Sequence, residues 1–138
     1  MDVERLRAAC LGLAGAYEDY PFGPEIAVFR VRVPGGAAPP GPGRIFALVR
    51  VEVEPLSISL KCDPALAVQL RSAHPEITGA WHLNKKHWNG VRLDGTLDEG
   101  MLRDLIEDSY DLVVSSLPAV QRAALGWLDR CGEPGVRS

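Results

Sequence analysis

The chain has 138 residues, the size of one ordinary domain, and its 46 % hydrophobic and 24 % charged residues are those of a globular protein. At this length a fold buries roughly two-thirds of its unfolded surface, so no disulfide or metal staple is needed to hold a core. No apolar run approaches the ~18–20 residues of a bilayer span, and the charged start Asp2-Val3-Glu4-Arg5 lacks the apolar stretch of a secretory signal. Cytoplasmic residence is the expectation. The three cysteines, Cys10, Cys62 and Cys131, are odd in number and widely spaced, which fits reduced thiols. The net charge of −3 is unevenly spread: residues 26–94 hold nine Lys/Arg against five Asp/Glu, and the flanks hold six against thirteen. Such asymmetry can mark a partner surface or be ordinary surface charge.

In chain order, Asp2 caps a predicted helix with the stripe Val3, Leu6, Cys10 and Leu13, ended by Gly12 or Gly15. Tyr17 to Pro24 mixes aromatics with breakers and reads as a short extended segment and a turn. Ile26–Val33 is a predicted strand, and the Pro/Gly-rich 34–43 a flexible hairpin loop. Arg44–Val53 and Leu56–Cys62 are two more strands, close enough in sequence to form an antiparallel meander. Asp63-Pro64 starts a helix that His74-Pro75 stops. Ile77–Lys86 reads as irregular, and His87–Leu93 as a strand. Asp98–Ser116 is a long helix with Leu102, Leu105, Ile106, Ser109, Leu112 and Val113 on one face. A last helix runs from Pro118 to about Arg130, and 131–138 is a frayed tail. The order predicts one α+β domain over 1–130, an antiparallel sheet with helices on one face.

Period-two alternation gives each strand two faces. The apolar sides belong under the helices. The other side would present Arg30, Arg32, Arg44, Arg50, Ser59, Lys61, Trp88 and Arg92. Two readings fit that face: a solvated surface, for which arginine suits, or a contact surface for anions and nucleic acid. The densest cluster is Trp81-His82-Leu83-Asn84-Lys85-Lys86-His87-Trp88-Asn89. Its indoles can fasten the loop to the sheet and its asparagines can bond turn backbone. Lys85 and Lys86 have no core role and are the better contact candidates. A metal site at His82 and His87 is disfavoured, because the cluster has no acid and two lysines. No Gly-x-Ser-x-Gly elbow or Gly-rich phosphate loop is present. The acidic set Asp104, Glu107, Asp108 and Asp111 reads as the solvated side of the long helix.

These motifs resemble the MmcQ/YjbR family. The residues that carry the likeness are Tyr20-Pro21-Phe22-Gly23-Pro24-Glu25, Phe46-Ala47-Leu48, Leu60-Lys61-Cys62-Asp63-Pro64, His82-Leu83-Asn84-Lys85-Lys86-His87-Trp88-Asn89 and Glu107-Asp108-Ser109-Tyr110-Asp111-Leu112-Val113. The match spans about Asp2 to Pro118; the 34–43 hairpin looks like an insertion, and the helix after Pro118 an addition. The resemblance implies a frataxin-like (CyaY-like) two-layer sandwich. Members are described as DNA-binding proteins with a double-wing motif, and no catalytic residue or cofactor comes with that description. Some members sit in natural-product gene clusters, which implies a small-molecule or resistance role. Iron chemistry is not implied, since the first helix offers only Asp2 and Glu4 before Arg5 and Arg7.

The leading expectation is a non-enzymatic domain that contacts DNA or RNA backbone. Its contact set would be Arg30, Arg32, Arg50, Lys61, Asn84, Lys85, Lys86, His87, Trp88 and Arg92, with no catalytic residue, metal or cofactor. The alternative is a small-molecule binder with a pocket near Trp81 and Trp88. Neither reading places the chain in a membrane. A pI of about 5.6 weighs against nucleic acid.

Overall fold

The computed structural model describes residues 2–33, 42–51, 55–80, 83–94 and 97–126. Most of the expected 34–43 hairpin loop, the end of the last helix and the 131–138 tail lie outside these residues. The elements follow in the order α1 (Val3–Leu11), β1 (Ala16–Asp19), β2 (Ile26–Val31), β3 (Arg44–Arg50), β4 (Ser57–Lys61), α2 (Pro64–Ala73), β5 (Ile77–Gly79), β6 (Trp88–Arg92), α3 (Glu99–Ser115) and α4 (Ala119–Ala124). Aspartate starts the first three helices. Asp2, Asp63 and Asp98 each accept the backbone N–H three residues on, at 2.8, 3.3 and 3.0 Å, and so satisfy donors the first turn leaves open. No helix among the described residues is long and apolar enough to cross a membrane.

The six strands form one antiparallel sheet in the order β1-β2-β3-β4-β6-β5. The expected α+β architecture and the β2-β3-β4 meander are therefore present. α3 packs over β3 and β4, α1 over β1 and against α3, and α2 over β5 and β6. The core lies between these layers. Leu6 and Cys10 of α1 and Leu102, Ile106, Val113 and Val114 of α3 meet Ala27, Phe29, Phe46, Val49, Ile58, Leu60 and Val91 of the sheet.

Three elements depart from the sequence reading. The stretch expected to be irregular from Ile77 contains β5, which pairs Ile77, Thr78 and Gly79 with Val91, Gly90 and Asn89. Three residues with a glycine carry too little alternation to be read as a strand; the pairing comes from β6. Leu105 and Leu112, placed on the core face of α3, are only partly buried, whereas Tyr110 and Val114 are buried in their stead. The third departure is a bulge. Phe29 pairs with Ala47 and Arg30 with Ile45, so Phe46 is the extra residue of β3. Phe46 and Ala47 are both fully buried in consequence.

The bulge interrupts the β2–β3 ladder, and on the other side of β3 a residue of α3 bridges it to β4. The Ser109 hydroxyl donates to the Phe46 carbonyl at 2.6 Å and accepts the Lys61 N–H at 2.8 Å. Ser109 is wholly buried. Next to it, the Tyr110 ring meets Phe46 edge-on at 5.6 Å, and its hydroxyl donates to the Ala14 carbonyl at 2.6 Å.

Two substitutions test this account in urea unfolding. Ser109→Ala leaves two buried backbone groups unmatched, at about 1–3 kcal/mol each, whereas Ser115→Ala on the exposed side of the same helix should stay within about 0.5 kcal/mol of the parent. Ile106→Ala should cost about 2–5 kcal/mol through the cavity it opens. A silent Ser109→Ala would show that the hydroxyl is not what holds the bulged strand.

Candidate functional site

Pairing register decides which side chains share the helix-free face of the sheet. That face carries Tyr17 and Asp19 of β1, Val28 and Arg30 of β2, Leu48 and Arg50 of β3, Ser57, Ser59 and Lys61 of β4, Trp88 and Arg92 of β6, and Thr78 of β5. The expected basic stripe is only partly assembled there. The bulge turns Arg44 over to the helix side, where its guanidinium donates to the Ser116 hydroxyl at 2.6 Å. Arg30 keeps only 12 % side-chain exposure, with Nε 3.0 Å from Asp19 and Nη1 donating to the Gly43 carbonyl at 2.9 Å. It works as a strut between β1 and the start of β3. Arg32 lies over the Tyr17 ring at 5.7 Å, and the Tyr17 hydroxyl accepts the Gly43 N–H. Val28, paired with Leu48 of β3 on the same side, is fully buried. The β1–β2 half of the face is thus taken up by internal contacts.

The other half is concave. A groove of about 260 Å³ runs over β4, β6 and β5, lined by Arg50, Arg92, Ser57, Ser59, Thr78 and Glu76, with Gly90 in its floor. Because Gly90 has no side chain and pairs with both Ser59 and Thr78, the floor stays low between the hydroxyls of β4 and that of Thr78. Arg92 is oriented by Asp94, with Nε 2.7 Å from its carboxylate. Glu76 is buried at one wall, and its carbonyl accepts the Arg92 N–H at 2.9 Å. Lys61 and Trp88 face each other across the β4–β6 pair at the end of the same face.

The loop expected to rim this face is held by its own backbone. Asn84 accepts the Lys86 N–H on its side chain at 3.0 Å, and its carbonyl accepts the N–H groups of His87 and Trp88 at 3.1 and 2.9 Å. Asn84, Lys85 and Lys86 are exposed, and His87 and Trp88 are half-buried. Lys85 is not on the groove side. Its aliphatic stem fills the place of a Gly79 side chain, and Gly79 pairs with Asn89, which points toward the helices. Arg71 of α2 donates to the Lys85 carbonyl at 3.0 Å from that same side. Trp81 and His82, and with them the expected pocket near Trp81, lie outside the described residues. Among the predicted contact residues, then, Arg50 and Arg92 meet in the groove with Lys61 and Trp88 at its end, whereas Arg30, Arg32 and Lys85 do not join them.

Sequence reasoning missed Thr78, which belongs to the unread strand β5, and Glu76, which sits in the turn just before it. It expected Asn89, like Asn84, to bond turn backbone; instead Asn89 is buried, with neither polar side-chain atom bonded among the described residues.

Burial pushes the Cys10 thiol up to about 12, with Glu18 adding to it. Burial likewise raises Cys62, helped by Asp63 and Asp108, so neither described cysteine is a ready thiolate. Tyr20 is raised mainly by its hydrogen bond to Glu18, in a cluster where Arg7 grips Glu18 at 2.9 Å. Among the described residues no three His, Cys, Asp or Glu side chains gather as a metal-holding group.

This same stretch of chain is matched by a family model described as YjbR, over residues 11–112. The chain belongs to the YjbR family. It is 42 % identical to the uncharacterised protein YjbR of Escherichia coli K12 over 82 residues, 59 % of this chain and 69 % of that one. With the uncharacterised protein YbdF of Escherichia coli O157:H7 it shares 38 % identity over 98 residues, 71 % and 72 % of the two chains. The crystal structure of Deinococcus radiodurans protein DR2400, with family-model domain DUF419, superposes with a TM-score of 0.82 at 38 % identity, covering 96 % of this chain and 94 % of that one. A Pseudomonas syringae protein gives 0.64 at 28 % identity, covering 82 % and 99 %. The YjbR match takes in all six strands, the groove and the Asn84–Asn89 loop, and stops before α4.

The buried thiol and phenol give this fold a defined alkaline limit. Tyr110 is pushed up to about 12 from about 10, by burial first and Asp111 second, and Cys10 to about 12 from about 9. Above the ordinary values the folded chain holds protons that the unfolded chain releases, so stability falls as pH rises. Urea midpoints should be insensitive to these groups below pH 9 and decline from there toward pH 12. Cys10→Ala should flatten the early part of that decline. An unchanged slope in that variant would show that Cys10 titrates normally.

Proposed function

We propose that this YjbR-family domain is a non-enzymatic binding module that takes a small phosphate-bearing molecule in the groove over β4, β6 and β5. The single observation that carries this reading is the placement of Arg50 and Arg92 at a concave floor of hydroxyls, with Gly90 keeping it open. Guanidinium groups recognise phosphate with strong charge-assisted bonds, and the hydroxyls of Ser57, Ser59 and Thr78 can donate to the remaining oxygens. Glu76 suits the hydroxyl-bearing body of a sugar phosphate or nucleotide, since a carboxylate accepts from hydroxyls. DNA or RNA backbone presents the same phosphate chemistry. The small ligand is favoured because the basic stripe is interrupted at Arg30 and Arg44, and the whole chain carries a net charge of −3. Long polyanions need a continuous positive track. Cytoplasmic residence fits such a ligand.

The test uses three probes with the intact protein: inorganic phosphate, adenosine monophosphate and a fluorescein-labelled single-stranded oligonucleotide. Adenosine monophosphate should give saturable amide shifts at Ser59, Thr78 and Gly90. Arg50→Ala and Arg92→Ala should each weaken it about tenfold, the equivalent of roughly 1.4 kcal/mol per lost charge-assisted bond. Lys85→Ala, on the other side of the sheet, should leave it unchanged. Binding of the oligonucleotide with a steep salt dependence, and no competition by the monophosphate, would overturn the small-ligand reading in favour of nucleic acid. No binding of any probe at low salt would overturn both.

A further inference from the structure

β6 presents its next residue to the opposite side of the sheet. Gly90 floors the groove, and Asn89 points under the helices, where it is 3 % exposed. Neither its Nδ2 nor its Oδ1 has a hydrogen-bond partner among the described residues. Leaving a buried carboxamide unmatched costs stability, so almost all buried polar groups find partners. Asn89 lines a slot between the sheet, α2 and α3, with apolar walls from Leu60, Leu70, Ile77 and Leu105. Val91, Lys61, Cys62 and Asp108 complete its lining. The slot has room for about one water, roughly 10 Å³.

One wall is weakly held. Ala67 is the only buried residue of α2, while Leu66 and Val68 are 39 % and 60 % exposed. The helix meets the sheet chiefly at its short end, β5 and β6, with Leu70 turned to the core, and bonds to Lys85 through Arg71. Few contacts oppose its outward movement, in contrast to α3, which Ser109 and Tyr110 tie into the sheet.

We infer that Asn89 is the recognition group of a second, apolar binding slot, which widens by displacement of α2 and takes a planar ring bearing an adjacent N–H and C=O, that is, a lactam edge. A carboxamide offers one donor and one acceptor side by side, and a lactam edge offers the complementary pair, so both idle atoms are satisfied by one ligand. The leucine and isoleucine walls suit the faces of a flat ring. This slot lies on the other side of the sheet from the groove and stands independently of the phosphate reading. It also accounts for a polar side chain kept at a core position: recognition retained at the expense of stability.

The probe is 2-pyridone, with N-methyl-2-pyridone as the control that keeps the ring and carbonyl but lacks the N–H. In ¹⁵N–¹H spectra of the full chain, 2-pyridone should move the Asn89 side-chain NH₂ pair and the Cys62 and Leu70 amides saturably. The N-methyl compound should bind at least tenfold more weakly. Asn89→Leu should abolish the response and raise Tm by a few degrees, because it removes the unmatched amide from an apolar site. Leu105→Phe, which fills the mouth of the slot, should also abolish it while leaving adenosine monophosphate shifts at Gly90 intact. That variant keeps the test decisive if Asn89→Leu folds poorly. Equal binding of both pyridones, no saturable shift of the Asn89 NH₂ pair, or a response that survives in Leu105→Phe would each overturn the inference.

Discussion

One hydroxyl holds the two layers in register. Ser109 sits over Phe46, the extra residue of β3 in its ladder with β2, and beyond the last β3–β4 pair it bridges the two strands through the Phe46 carbonyl and the Lys61 N–H. A buried backbone carbonyl and amide without partners would work against the sheet at its centre. With Ser109 in place, the bulge becomes tolerable and has useful results. Phe46 turns into the core to meet Tyr110, and Tyr110 reaches the Ala14 carbonyl at the α1–β1 corner. Arg44 moves to the helix side. Ser109 thus ties α3 to β3 and β4 at the bulge, Tyr110 ties it to the N-terminal corner, and the bulged register sets which side chains share the helix-free face.

Much of this architecture was legible in the chain. Asp2, Asp63-Pro64 and Asp98 marked helix starts because capping chemistry is local. The alternation of Ser57 to Lys61 gave β4 its faces correctly. What was not legible depends on contacts distant in sequence. The bulge at Phe46 reverses the alternation read across Arg44 to Arg50, and nothing within β3 announces it, because its stabilising partner lies on α3. β5 is invisible for the same reason: its strand character comes from Asn89, Gly90 and Val91 across the pair. Lys85 looked like a groove residue from its place before β6. The turn built on Asn84 and the room left by Gly79 send it to the other side.

The electrostatic lesson is similar. Counting arginines over residues 26–94 suggested a continuous positive field. The fold instead draws Arg30 into Asp19 and a backbone carbonyl, lays Arg32 on Tyr17 and aims Arg92 with Asp94. Paired charges position side chains more than they project a field. What survives is a local feature, a concave patch lined by Arg50, Arg92, Ser57, Ser59 and Thr78.

The order of strands has a consequence for assembly. The sheet is widest in its middle, where β2 and β3 run six and seven residues, and it ends on its two shortest strands, β1 with four residues and β5 with three. The β1 side is further studded with Glu18 and Asp19, each engaged by an arginine. Borders so brief and so charged offer an incoming chain few free amides and carbonyls to zip onto, which guards the family's fold against runaway strand addition. The area this domain can offer to another surface therefore lies mostly in the plane of the sheet and over its helices, and little of it along its margins.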